Sequence, residues 1–263
     1  MLETKHISPV QELLAFAPVT LEEMDSVKLM NRIDSKYLTD EATLLPVLRD
    51  AARAGYRALV TEGSMIAAYD TMYFDTPARN MFLDHHNRRL TRQKVRTRIY
   101  LNSGISFLEI KRKNNHGRTK KKRILIPQQE FKAFAADLEA SEFLKAKSNY
   151  TATELTPSLE TIFKRITLVN PAMTERLTID SCLCFNNPRN GSESSLRNGV
   201  IIELKQDGHA DSEMKRIFLK YRIKPIKVSK YCIGITLTDK DIKSNRFKIK
   251  IRKIEKQINN KLI

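Results

Sequence analysis

The chain has 263 residues, 41% of them hydrophobic, and a formal net charge of +17 at pH 7. That length and apolar content suit one large domain with a real core, or one domain with small appendages. No run of about 18 apolar residues offers a membrane helix, and the opening MLETKHISPVQELL lacks the charged-then-apolar layout of a secretory leader.

The positive balance calls for an anionic partner: nucleic acid, anionic lipid or a polyphosphorylated small molecule. Cys182, Cys184 and Cys232 lack the paired spacing of a zinc site, and their odd number suits a reduced cytoplasm; they read as packing residues. In chain order, Pro9 to Ala17 is a short helix candidate closed by Pro18. Thr20 to Glu23 fits a capping box, opening a helix to about Met30 with Leu21, Met24, Val27 and Met30 inward. RIDSKYLT then reads as a strand with Arg32, Asp34 and Lys36 on one face. Asp40 caps a helix to about Ala54, and Gly55 ends it. AAYDTMYFD (Ala67 to Asp75) is a strand. FLDHHNRRL follows with His85 and His86 adjacent, a poor metal pair because neighbouring side chains do not converge.

Arg92 to Ile126 carries twelve Lys or Arg against one acid, Glu109, yet divides into three strands. Lys94, Arg96, Arg98 and Tyr100 share a face at period two; Phe107, Glu109, Lys111 and Lys113 share the next; Lys121 and Arg123 share the third, after the turn NNHGR. Such a face is either a solvated basic surface or a bed for several phosphates. Pro127 to Leu144 reads as one helix with Phe131, Phe134 and Leu138 on its apolar side. Thr161 to Val169 is a strand with Phe163, Arg165 and Thr167 aligned, and Thr174 to Phe185 one with Arg176, Thr178 and Asp180 aligned. In GVIIELK, Ile201, Glu203 and Lys205 share a face. Ala210 to Arg222 is helical, capped by Asp211 or Ser212. Lys227, Ser229 and Lys230 lie close together in PIKVSKYCIG, and Asp239 to Ile263 reads as a basic, frayed segment without a clean apolar stripe.

A charged face recurs on strand after strand, with amphipathic helices between. An α+β fold satisfies both: a closed antiparallel β-barrel, polar and cationic inside, with helices packed on the outside. A cationic lumen repels itself unless anions sit in it.

In order, spacing and strand phase, RIDSKY, YDTMYFDT, KVRTRIY, FLEIKRK followed by KKR, RLTID, IIELK and KVSKY resemble a VTC domain. This is the polyphosphate polymerase domain of the vacuolar transporter chaperone complex and its bacterial relatives, within the triphosphate tunnel metalloenzyme (CYTH-like) superfamily. The resemblance runs from about Arg32 to Gly234 and implies a tunnel domain over 31–238, between an N-terminal helical segment (1–30) and the basic segment 239–263. It implies a phosphotransferase moving the terminal phosphate of ATP onto inorganic polyphosphate, with Arg96, Arg98, Lys111 and Lys230 at the reacting phosphates. Further phosphate ligands would be Lys36, Lys113, Lys121, Arg123, Arg165, Arg176, Lys227, Ser229 and His86, with Glu203 holding Mn²⁺ or Mg²⁺. Two departures stand out: RIDSK has one acid, Asp34, where hydrolytic relatives have Glu-x-Glu-x-Lys, and His85 or His86 stands where the eukaryotic domain has an Arg.

The alternatives are a triphosphatase using the same parts, and a non-catalytic sensor of polyphosphate, inositol phosphate or nucleotide. Nucleic acid is the weakest partner, since the aromatics do not interleave with the cations. The expected compartment is the cytoplasm, with a membrane-protein partner suggested by family analogy only.

Overall fold

Strand phase decides which side chains meet in this protein, and the computed structural model, which describes residues 8–25, 32–208 and 211–262, shows the phase directly. A short helix α1 (Val10–Leu13) leads into strand β1 (Ala17–Val19) and helix α2 (Leu21–Asp25). The capping box forms: Thr20 N–H donates to Glu23 Oε2 (2.8 Å) and Glu23 N–H to Thr20 Oγ1 (3.3 Å). Val27 and Met30 lie outside the described residues. Next come β2 (Arg32–Asp40), α3 (Glu41–Arg53), β3 (Arg57–Leu59), β4 (Ala67–Asp75) and α4 (Asn80–His86). The basic meander is β5 (Arg92–Tyr100), β6 (Ser106–Lys113) and β7 (Thr119–Ile126). Helix α5 (Leu138–Lys147) precedes β8 (Thr156–Val169), β9 (Glu175–Asn187), β10 (Ser192–Ser195) and β11 (Gly199–Asp207). Helices α6 (Glu213–Lys220), α7 (Lys230–Thr238) and α8 (Asn245–Ile258) complete the described elements.

The caps were readable. Asp40 accepts from Thr43 N–H (2.8 Å), and Gly55 takes the positive φ of 78° that ends α3. Ser212 caps α6, accepting from Lys215 N–H at 3.2 Å; Ala210, where that helix was expected to begin, lies outside the described residues. The helix expected over Pro127 to Leu144 is instead two 3₁₀ turns followed by α5. Ala133, at φ −153°, breaks the run, and Asp137 starts a new helix by accepting from Ala140 N–H (3.0 Å). Phe131 and Phe134 are still buried, but Leu138 is 81% exposed.

The fold is mixed α and β around a large sheet, antiparallel apart from β1 with β3. Its main order is β2-β11-β9-β8-β4-β5-β6-β7. One face, with Ile166, Leu177, Ile202 and Leu204 on one half and Met72, Val95, Leu108 and Ile110 on the other, buries against α3 and α6, and against α5 with its 3₁₀ turns. The other face carries the charges and curls in on itself. Lys111 of β6 feels Glu203 of β11, five places along the order, and Lys94 of β5 feels Lys36 of β2.

The curl is a trough and not the closed barrel expected. β2 and β7 end the order and are not paired with each other. The outer edge of β2 is already taken: Ile226 N–H donates to the Lys36 carbonyl (2.7 Å), and Tyr37 bridges Pro225. β7, for its part, offers a row of exposed lysines.

Nor do all helices lie outside. Helix α7 lies on the inner side against β8, β9 and β10, with Tyr231 to Thr236 and Thr238 buried. Gly234 makes this possible, since a Cβ there would meet Leu159 Cδ2 at 2.4 Å and Phe185 Cδ1 at 2.7 Å. Gly234→Ala is therefore expected to lower unfolding free energy by about 1–3 kcal/mol through overpacking, despite the better helix propensity of Ala; urea titration measures it. The frayed tail is also corrected. Phe247, Ile251, Ile254 and Ile258 form a buried stripe at helical spacing, seating α8 against α7. Among the described residues no helix is long and apolar enough to cross a membrane.

The helix-covered face holds one carboxyl out of its usual range. Burial, and then the charge of Glu160, push Asp70 up to about 7; Glu160 itself is held by Lys132 at 2.7 Å. A carboxyl raised in the folded state adds stability that is complete below its ordinary 3.8 and is lost as pH rises through about 7. Asp70→Asn should abolish that decline, leaving the variant more stable than the parent at pH 8 and less sensitive to pH from 4 to 7 in thermal melts.

Candidate functional site

The meander builds half of the site. β5 and β6 pair with Arg96 opposite Glu109, and β6 and β7 with Glu109 opposite Arg123 and Lys111 opposite Lys121. Arg96 grips Glu109 Oε2 through Nε (2.8 Å) and Nη2 (2.5 Å), while its Nη1 donates to the Tyr73 hydroxyl (3.2 Å). Lys121 takes the other oxygen at 3.1 Å. Burial opposes ionisation of Glu109, which is 1% exposed, yet Arg96, Arg98 and Lys121 hold its carboxyl far below the usual range.

Arg98 is different. It lies 7% exposed, with Nε donating to Thr71 Oγ1 (3.2 Å) and the guanidinium over the rings of Tyr69 (5.3 Å) and Phe163 (5.8 Å). Burial first, and Arg96 next, lower its pKa to about 10, so it remains charged at neutral pH but poorly compensated. Lys111 is pushed well below the ordinary lysine value by Arg96 and by burial. Both groups feel the Glu109 carboxylate, but burial and the neighbouring cations outweigh it, an arrangement suited to an anion.

The opposite wall mirrors this arrangement. Arg165 forms a fork on Asp180 (Nε to Oδ1 2.6 Å, Nη2 to Oδ2 2.8 Å), and Lys230, at the start of α7, reaches Asp180 Oδ2 at 2.6 Å. Burial opposes it, but Arg165 and Lys230 keep Asp180 well below its usual range. Glu203 is flanked by Lys36 (2.5 Å) and Lys205 (2.8 Å). Against burial, these two hold its carboxyl well down. At the seam, Lys94 Nζ donates to Ser229 Oγ (2.9 Å), which also caps α7 by accepting from Cys232 N–H (3.4 Å).

Of the residues expected from sequence, Lys36, Arg96, Arg98, Lys111, Lys121, Arg165, Arg176, Glu203, Ser229 and Lys230 lie on or against this one face. Lys120, Lys122 and Lys164 are exposed on the other face, whereas Arg165 and Lys121 share the inner one, Lys121 through its contact with Glu109. Arg123 is exposed at the edge, stacked 4.3 Å over Phe107, and Lys113 sits at the outer end of β6. Lys227 is exposed, and its charge acts on Lys250.

His86 is a correction. It is 3% exposed, packed under α4 against Phe82 and Phe247, with Nδ1 3.1 Å from Asn87 Oδ1. His85 faces the cations instead: burial, then Lys94, Arg92, Lys250 and Lys113, push its imidazole far below the usual range, which keeps it neutral. The sequence reading also passed over Glu109, Asp180, Lys205 and Lys94, although each was in phase with a chosen neighbour.

Among the described residues no three His, Cys, Asp or Glu side chains converge on a metal position. Glu203 fits a divalent ion only if substrate oxygens complete the shell, a common arrangement for Mg²⁺ among phosphates.

The VTC domain family model matches residues 31–239. No curated protein matches the chain closely enough to count. Among solved structures, a candidate adenylate cyclase from Bacillus halodurans superposes with a TM-score of 0.50 at 15% identity, covering 76% of this chain and 96% of that one. A Hippeastrum candidate adenylyl cyclase described as having a dominant triphosphatase activity gives 0.49 at 14%, covering 78% and 95%. At these identities the likeness to the Bacillus protein is one of fold alone.

Proposed function

The chain belongs to the VTC domain family, and from that premise we propose that it transfers the terminal phosphate of ATP onto an inorganic polyphosphate chain lying in the trough. The observation that carries this reading is the placement of Arg98 and Lys111 on one inner face between two ion-paired walls, Arg96–Glu109–Lys121 and Arg165–Asp180–Lys230. Phosphoryl transfer asks a protein mainly to position the reactants and stabilise charge, with no protein nucleophile needed. A terminal oxygen of the chain attacks the γ-phosphorus, the bond from that phosphorus to the β,γ-bridging oxygen breaks, and ADP leaves.

In this reading Arg96 and Arg165 are held rigid by Glu109 and Asp180 and present their remaining donors to phosphate oxygens. Arg98, Lys111 and Lys230 supply the charge that the transferred group needs. Lys36 and Lys205 keep Glu203 ionised and oriented. Mn²⁺ or Mg²⁺, when bound, would neutralise phosphate charge beside Glu203.

A second reading keeps the same residues and changes only the acceptor, since cations that stabilise the transferred group serve attack by water as well. Transfer to water would make the protein a triphosphatase. The test is incubation with ATP, Mn²⁺ and a short polyphosphate primer, with Arg98→Ala as control. Long chains that vanish in the variant support the polymerase; free phosphate without chains supports hydrolysis. Tight polyphosphate binding with neither product would overturn both in favour of a sensor.

A further inference from the structure

The cationic face does not end at the trough. At the end of α4, Arg88 takes a left-handed φ of 59°, a position usually given to glycine. Arg92 opens β5 on the same face as Lys94 and Arg96, and its Nη1 donates to the Arg89 carbonyl (2.8 Å). Helix α8 is fastened beside them. Arg246 Nη1 donates to the His86 carbonyl (3.0 Å), and the Phe247 ring packs on Phe82 (5.4 Å) and His86 (5.7 Å). One turn along from Phe247, Lys250 lies over that ring at 5.3 Å.

With α8 fastened to the end of α4 in this way, Lys250 lies near enough to Arg88, Arg92 and Lys227 for their charges to act against its own. Asp84, the carboxylate on this stretch of α4, is already taken by Arg89 at 3.0 Å. Like charges gathered on one surface attract a polyanion. The strip adjoins the inner cluster at His85, on which Lys94, Arg92 and Lys250 all act.

We propose that Arg88, Arg92 and Lys250 form an outer anion site that holds the polyphosphate chain where it passes α4 out of the trough, and so favours long chains over short ones. This rests on the phosphate-chain reading above. It adds a subsite made by α8 and the end of α4, outside the residues assigned to the reacting phosphates.

Binding of long inorganic polyphosphate and of inorganic triphosphate would be compared for the full chain and for Arg88→Gly/Lys250→Gln. Glycine suits the left-handed turn and glutamine keeps most of the lysine stem, so the fold should survive; Lys250→Gln alone serves as the milder variant. The expected result is a loss of about tenfold for the long chain, a salt slope shallower by about one to two, and triphosphate affinity unchanged within about twofold. Equal weakening of both ligands, or no weakening of either, would overturn the outer site. Long chains that bind through Arg88 and Lys250 without ATP-driven product would overturn the polymerase reading and keep the site. A parent protein that binds neither ligand would overturn both.

Discussion

Glu109→Gln is expected to cost the free protein about 3–5 kcal/mol of unfolding free energy, because it leaves Arg96 buried without its counter-ion. Glu109 is 1% exposed and accepts three bonds, two from Arg96 and one from Lys121. For a chain of this length each kcal/mol is worth about 2–4 °C in melting temperature, so a thermal melt resolves it easily. Because the lost charge is one that a polyanion can replace, added polyphosphate should restore more stability to the variant than to the parent. A melt unchanged in the absence of ligand would mean that the Arg96–Glu109 pair carries no structural weight.

Arg98→Met should separate activity from stability in the opposite sense. Arg98 has a hydroxyl and two rings as neighbours but no carboxylate of its own, and burial with Arg96 already disfavours its charge. Methionine fills similar space without that charge, so the melting temperature should stay level or rise. Phosphoryl transfer, however, should fall by about 10²–10³, the usual cost of one preorganised donor to transition-state charge. Activity surviving within about threefold of the parent would remove Arg98 from the reaction.

These two residues also show what sequence can and cannot carry. Period-two alternation is a property of the pleat, so Arg96, Arg98, Lys111, Arg165 and Glu203 could be put on one face before any coordinates. Which cation meets which acid depends on cross-strand register, and register is fixed by turns and bulges. The pairing of Arg96 with Glu109 follows from the length of the β5–β6 turn, and that of Arg165 with Asp180 from an extra residue in β9 near Cys182, opposite Ile162 to Lys164 of β8. His85 and His86 differ by about 100° around a helix axis, and a helix as short as α4 does not announce its rotation. The stripe of Phe247, Ile251, Ile254 and Ile258 was present in the sequence but hidden among lysines. That β2 and β7 do not pair was not legible in any strand pattern: the edge of β2 is occupied by Pro225 and Ile226.

Among the described residues no strand pairs with the outer side of β7, which borders the sheet. An unpaired border is a template on which a second copy of the chain can add its own strand, the ordinary route to aggregation. Lys120, Lys121, Lys122 and Arg123 stand along it, so two such borders brought together meet as like charges. The cations that serve the anion site at this margin therefore also act as a colloidal guard. Neutralising them, by substitution, by high salt or by an excess of bound polyanion, is expected to raise self-association, which light scattering would follow.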